Sequence, residues 1–117
     1  MKIEIRAHGL KLTSDLRIHA ERRLIFGLDW ARDEVNVVKL CLSDINGPRG
    51  GNDKRCQLRI PIRGMRDVVI EDTSADLRIA IDRAIDRAAR TLERRLSRKR
   101  EFGNVPPSRW EQLADSA

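Results

Sequence analysis

Between Leu77 and Leu92 the apolar residues Leu77, Ile81, Ala84, Ile85, Ala88 and Leu92 recur at spacings of three and four. That rhythm closes one face of an α-helix. Thr73 or Ser74 is placed to start it, and it is predicted to run to about Arg100. A helix so long in a chain of 117 residues needs an apolar floor to lie on. Three earlier segments alternate in the manner of strands, and they can supply that floor. Residues 2–8, KIEIRAH, put Ile3, Ile5 and Ala7 on one side and Lys2, Glu4, Arg6 and His8 on the other. Residues 34–43 put Val38, Leu40 and Leu42 on one face and Val35, Val37 and Cys41 on the other. Residues 55–63, RCQLRIPIR, turn Cys56, Leu58, Ile60 and Ile62 inward. Pro61 then belongs on an edge or at an unpaired position, because it has no N–H to give a ladder.

The remaining stretches connect these units. Thr13 or Ser14 offers an N-cap, with Asp15 in the first turn, for a helix to about Phe26 that stops at Gly27 as its C′ residue. Leu16, Ala20 and Leu24 share one side of it, and Ile18 and Ile25 fall roughly opposite. Residues 44–54, DINGPRGGNDK, read as a long hairpin loop. Gly64 to Asp67 turn the chain, and Val68 to Glu71 make a short fourth strand. The order is β-α-β-β-β-α, an α+β domain whose four-stranded sheet carries both helices on one face. It is expected to occupy residues 1–101. Pro106 and Pro107 separate a tail, 102–117, that is weakly ordered or forms a short helix from a Ser108/Glu111 capping box.

Composition removes several function classes. The longest apolar runs are a few residues, and the N-terminus has no stretch of signal-peptide length. A cytoplasmic protein without a membrane partner is expected. Cys41 and Cys56 are too few and too far apart for a metal knuckle. With Cys56 inward and Cys41 on the other face, a disulfide between them is geometrically disfavoured. No phosphate-binding loop, nucleophile elbow or zinc-protease motif is present. No catalysis, cofactor, metal or small-molecule substrate is expected. Net charge is +6, from 24 Lys+Arg against 18 Asp+Glu. A small basic domain suits a polyanionic partner.

The cations are patterned. Arg83, Arg87, Arg90 and Arg94 follow at steps of four, three and four, off the apolar stripe. Each can offer a planar fork to phosphate, or can belong to a solvated face partly neutralised by pairs such as Asp86 with Arg90. Arg98 and Lys99 extend the series in RRLSRKR (94–100), which is expected to project past the sheet. On the first helix, Arg22 and Arg23 are further candidates, although Arg23 lies near the apolar side and can snorkel. Asp82 and Asp86 make an acidic strip expected to orient Arg83, Arg87 and Arg90. Ile18, Ile25, Phe26 and Trp30 form an apolar patch, covered by the tail through Trp110 or offered to a protein partner or second copy.

This order, with this last helix, resembles the ribosome hibernation-promoting factors, also called the ribosome-associated inhibitor or sigma-54 modulation family. The resemblance covers about residues 1–100. It rests on A-I-D-x-x-I-D-[KR]-x-x-R-x-L, met at Ala80, Ile81, Asp82, Ile85, Asp86, Arg87, Arg90 and Leu92. It rests also on Thr13, Leu16 and Arg17, followed by Arg22–Arg23 where the family carries lysines. Arg78 stands where the family usually has an aromatic residue. The resemblance implies a fold similar to double-stranded RNA-binding domains. It implies a short-form translation inhibitor, a monomer or weak homodimer, that binds rRNA of the small ribosomal subunit along the mRNA/tRNA channel. A general structured-RNA binder and a protein-interaction module are the alternatives.

Overall fold

Alternating apolar residues make all the strands of this chain one-sided, and the structure gathers those sides into a single floor. The structure is a computed structural model; it describes residues 1–45 and 54–103, with side chains through Arg98. The elements are β1 (Lys2–His8), α1 (Ser14–Leu28), a short 3-10 turn (Asp29–Ala31), β2 (Val37–Asp44), β3 (Lys54–Ile62), β4 (Met65–Ser74) and α2 (Leu77–Gly103). The sheet order is β1-β2-β3-β4. β1 runs parallel to β2, and the other neighbours are antiparallel. The β-α-β-β-β-α domain read from the sequence is the one observed.

Val38, Leu40, Leu42, Cys56, Leu58, Ile60, Val68 and Ile70 form the inner face of the sheet, all buried. From α2 the whole expected stripe from Ile81 to Leu92 descends onto them, extended by Ala80 and Leu96. Leu16, Ala20, Leu24 and Leu28 of α1 complete the core. Thr13 is the N-cap of α1, its Oγ1 accepting from the Leu16 N–H at 3.2 Å. Pro61 sits where the β3–β4 register shifts between Ile60 and Ile62. It lies on an interior strand, at the unpaired position rather than on an edge.

Several boundaries differ from expectation, each for a local reason. α1 does not stop at Gly27. A Cβ at Gly27 would lie 3.1 Å from Ile85 Cγ2, a tight contact, so α1 and α2 cross closely at this point. Val35 precedes β2 and is buried from the connection, its N–H donating to the Ala31 carbonyl at 3.0 Å. β4 is longer than Val68–Glu71 because the turn at Gly64, with φ +75°, starts pairing early, and polar Asp72, Thr73 and Ser74 continue it. Thr73 and Ser74 are therefore strand residues. Asp76 starts α2 instead, its Oδ1 accepting from the Arg78 N–H at 2.9 Å. The loop segment 46–53 and the tail from residue 104, with the capping box and Trp110, lie outside the described residues.

The cysteines face opposite ways, as expected: Cys56 is buried and Cys41 partly exposed on the open face. The Cys56 thiol is pushed from 9.0 up to about 12, first by burial, then by the negative charge of Asp72 and by Cys41. A raised thiol pKa holds Cys56 neutral in the fold while the unfolded chain ionises near 9.0, so this group's contribution to stability falls as pH rises from about 9 to about 12. Iodoacetamide at pH 8 is expected to label Cys41 and spare Cys56 until the protein unfolds, as read by peptide mass spectrometry. Ile81→Asp buries an unpaired charge and is expected to abolish cooperative urea unfolding. Gly27→Val overpacks the helix crossing and is expected to cost about 1–3 kcal/mol, seen as a lower urea midpoint.

Candidate nucleic-acid interface

The apolar stripe of α2 sets where its charges go. With Ile81, Ile85, Ala88 and Leu92 pressed on the sheet, the flank bearing Asp82 and Asp86 turns towards α1. Asp82 Oδ1 takes His19 Nε2 at 2.9 Å and Arg23 Nε at 3.1 Å, and Asp86 Oδ1 takes Arg23 Nη2 at 3.1 Å. The acidic strip was expected to orient the arginines of its own helix, with pairs such as Asp86–Arg90 as the alternative of a solvated face. The strip instead ties α2 to α1, because the second helix packs on that flank. Arg23 is thereby engaged inside the protein.

The opposite flank faces β4. That strand is an edge, and no neighbouring strand takes up its outer carbonyl groups. Arg83 Nη2 donates to the Thr73 carbonyl at 2.6 Å and to Asp72 Oδ1 at 2.8 Å. Arg87 Nη1 donates to the Glu71 carbonyl at 2.8 Å and lies 3.7 Å from Asp72 Oδ2. Arg95 Nη1 reaches the Arg66 and Asp67 carbonyls at 2.9 and 3.0 Å. These arginines seal the edge of the sheet. The Asp72 side chain is only 13% exposed, so Arg83 and Arg87 also neutralise a largely buried carboxylate.

Three expected arginines remain on the outer crest of α2. Arg90 and Arg98 are exposed and have no partner among the described residues, and Arg94 touches only Thr91 Oγ1 at 3.5 Å. Thr91, Arg94, Arg95 and Arg98 line a concavity of about 210 Å³. It offers a hydroxyl and three guanidinium groups, donors that suit a phosphate and provide no nucleophile or general base. Arg22 is exposed on α1, again without a partner among the described residues, and shares a second concavity with Arg78. Lys99 belongs to α2, but its side chain lies outside the described residues.

Of the expected contacts, Arg22, Arg90, Arg94 and Arg98 stand exposed on the surface, and the structure sets two residues beside them that were not among those expected, Arg78 and Arg95. Nothing in the pattern showed that edge carbonyls await Arg95. Ile18, Ile25 and Phe26 of α1 and Trp30 of the 3-10 turn are exposed by 45%, 49%, 85% and 49%, and Trp110, named as their cover, lies outside the described residues. Among the described residues no cluster of His, Cys, Asp and Glu could hold a metal ion, and no helix is long and apolar enough to cross a membrane.

Comparison with known proteins bears on the fold and the family. The fold matches the N-terminal domain of Thermus thermophilus Protein Y, with a TM-score of 0.66 and 27% identity over 80% of this chain and 98% of that one. It also matches a ribosomal subunit interface protein from Coxiella burnetii, with a TM-score of 0.69 over 83% of this chain and 99% of that one. At 17% identity the second likeness bears on the fold alone. No curated protein gives a significant match. Residues 3–100 match the sequence profile described as sigma 54 modulation protein / S30EA ribosomal protein, and the chain belongs to that family.

Proposed function

We propose that this protein is a ribosome hibernation factor that binds rRNA of the small ribosomal subunit and occludes the mRNA/tRNA channel. Residues 1–101 form the binding body, which works in the cytoplasm and performs no catalysis. The observation that carries this reading is the crest of α2. Arg90, Arg94 and Arg98 are held on a rigid helix with no described carboxylate paired to them, on a fold whose family is ribosomal. The likeness to the N-terminal domain of Thermus thermophilus Protein Y supports the same setting.

The mechanism is occlusion. A sheet with two helices packed on it is a stiff body, and little conformational entropy is lost when it seats. Arg90, Arg94, Arg98 and Arg22 donate to phosphate oxygens and release counterions. Lys99 joins them by its place in the helix. Arg23, Arg83 and Arg87 act one step back, by fixing the helices and the sheet edge against each other. The shape of folded RNA, rather than base identity, sets specificity, because the crest offers donors and no stacking aromatic.

The test is co-sedimentation with purified small subunits across a salt series, with an unrelated RNA duplex as competitor. Saturable binding that resists the duplex is expected. Binding abolished by the duplex would point to a general structured-RNA binder. The variant Arg90→Glu, Arg94→Glu, Arg98→Glu is expected to unfold at the wild-type urea midpoint within about 0.5 kcal/mol, because these side chains hold nothing inside the protein. Its affinity is expected to fall more than tenfold, with the salt slope smaller by roughly two to three. Undiminished binding would turn attention to the apolar patch on α1. By contrast, Arg83→Ala with Arg87→Ala leaves Asp72 and the β4 carbonyls without these donors and is expected to lower stability by about 1–2 kcal/mol in urea unfolding.

A further inference from the structure

The open face of the sheet carries a second group of cations. Cross-strand register sets Glu4, Lys39 and Arg59 in one row and Arg6, Cys41 and Gln57 in the next. All six line a concavity of about 350 Å³ on that face. Lys39 and Arg59 are direct cross-strand neighbours, an arrangement that costs stability when nothing lies between the charges. Neither Lys39 nor Arg6 has a partner among the described residues, and the nearest carboxylate to Arg59 is Asp67 at 3.9 Å. Glu4 is the one carboxylate of the concavity, and it lies 3.8 Å from Lys2 Nζ. Three cations thus surround a hollow that holds one carboxylate. Elsewhere on this face Arg55 is paired with Glu71, so the imbalance is local.

An anion seated between Lys39, Arg59 and Arg6 would remove the repulsion and use all three charges. His8 is the one ring among the residues lining the hollow, with no Phe or Trp, so it offers bases little stacking platform. Gln57 adds an amide that can donate to a phosphate or pair with a ribose hydroxyl. We propose that the open sheet face is a second phosphate-binding surface, which seats the backbone of an RNA strand on the side opposite the helices. The proposal rests on the ribosome-binding reading and deepens it: the domain is gripped by RNA on two faces, as a wedge is.

Cys41 is a built-in reporter, since it lines the hollow while Cys56 is buried. The first measurement is iodoacetamide labelling of the wild-type protein, alone and with saturating small subunits, read by peptide mass spectrometry. Bound subunits are expected to slow labelling of Cys41 at least tenfold. The second is the salt series with Lys39→Gln, Arg59→Gln. This variant removes a repulsion, so it is expected to fold as the wild type does. It should bind small subunits about tenfold more weakly, with a salt slope smaller by roughly 1.4, the share of two single-strand phosphate contacts. Binding with unchanged Cys41 labelling and an unchanged slope overturns the sheet-face proposal and leaves ribosome binding intact. Protection of Cys41 without any change in slope means a protein covers the face, and also overturns it. Failure of the wild type to sediment with subunits would instead sink the ribosome reading, which separates the two.

Discussion

One apolar seam places every charge discussed above. Ile81, Ile85, Ala88 and Leu92 lie on the inner face of the sheet, all buried to within 1%. A helix has only one rotation that satisfies such a seam. Once it is taken, Asp82 and Asp86 must look at α1, Arg83 and Arg87 must look at the β4 edge, and Arg90 must look outwards. The close crossing at Gly27 fixes the remaining freedom, because Ile85 fills the space a side chain there would need. Burying a leucine or isoleucine side chain is worth roughly 1.5–3 kcal/mol, whereas an exposed ion pair is worth roughly 0–1. The seam therefore dictates, and the ion pairs adapt.

The arginines of this chain divide by what they satisfy. Arg83, Arg87 and Arg95 end on backbone carbonyls of an edge strand, two of them also near a carboxylate that is mostly removed from water. These contacts blunt an edge that could otherwise pair with another chain. Arg23 bridges two carboxylates on the facing helix at exposed positions, and its energetic worth is modest. Arg90, Arg94 and Arg98 satisfy little or nothing among the described residues. A cation held on a rigid helix without a partner keeps its attraction for an outside anion undiminished. That difference, rather than the count of arginines, is what singles them out for the proposed interface.

The architecture was legible because it rests on period. Alternation gave the inward faces of β1, β2 and β3, and the three-and-four spacing gave the seam from Ile81 to Leu92. Both patterns are direct consequences of burial. What period does not encode is how far an element extends once tertiary partners support it. β4 runs through polar Asp72 and Thr73 because β3 pairs with it and α2 supplies arginines, and neither fact leaves a mark on residues 72–74 themselves. Gly27 carried the signature of a helix end, yet it lies within α1 at a close approach to Ile85, a residue far along the chain. The candidate site shows the same limit. Spacing put Arg83, Arg87, Arg90 and Arg94 on one broad face. Only the position of β4 divides that face into a sealed half and an open half.

The acidic residues explain why a net charge of +6 does not act as a diffuse field. Asp44 pairs with Lys54, Glu71 with Arg55, Asp72 with Arg83, and Asp82 and Asp86 with Arg23. Each pair holds a cation that would otherwise attract polyanions of any shape, and each fixes two elements relative to one another. Among the described residues the cations left over include those on the crest of α2, Arg22 of α1 beside Arg78 of α2, and Lys39 with Arg6 on the sheet. Screening removes most of the interaction between exposed charges more than a Debye length apart, about 8 Å at physiological salt. Separate patches then act locally, and only a ligand whose phosphates match their placement can reach several at once. Internal pairing thus converts an excess of charge into a geometric requirement, which is how a surface with few means of reading bases can still prefer one folded RNA to another.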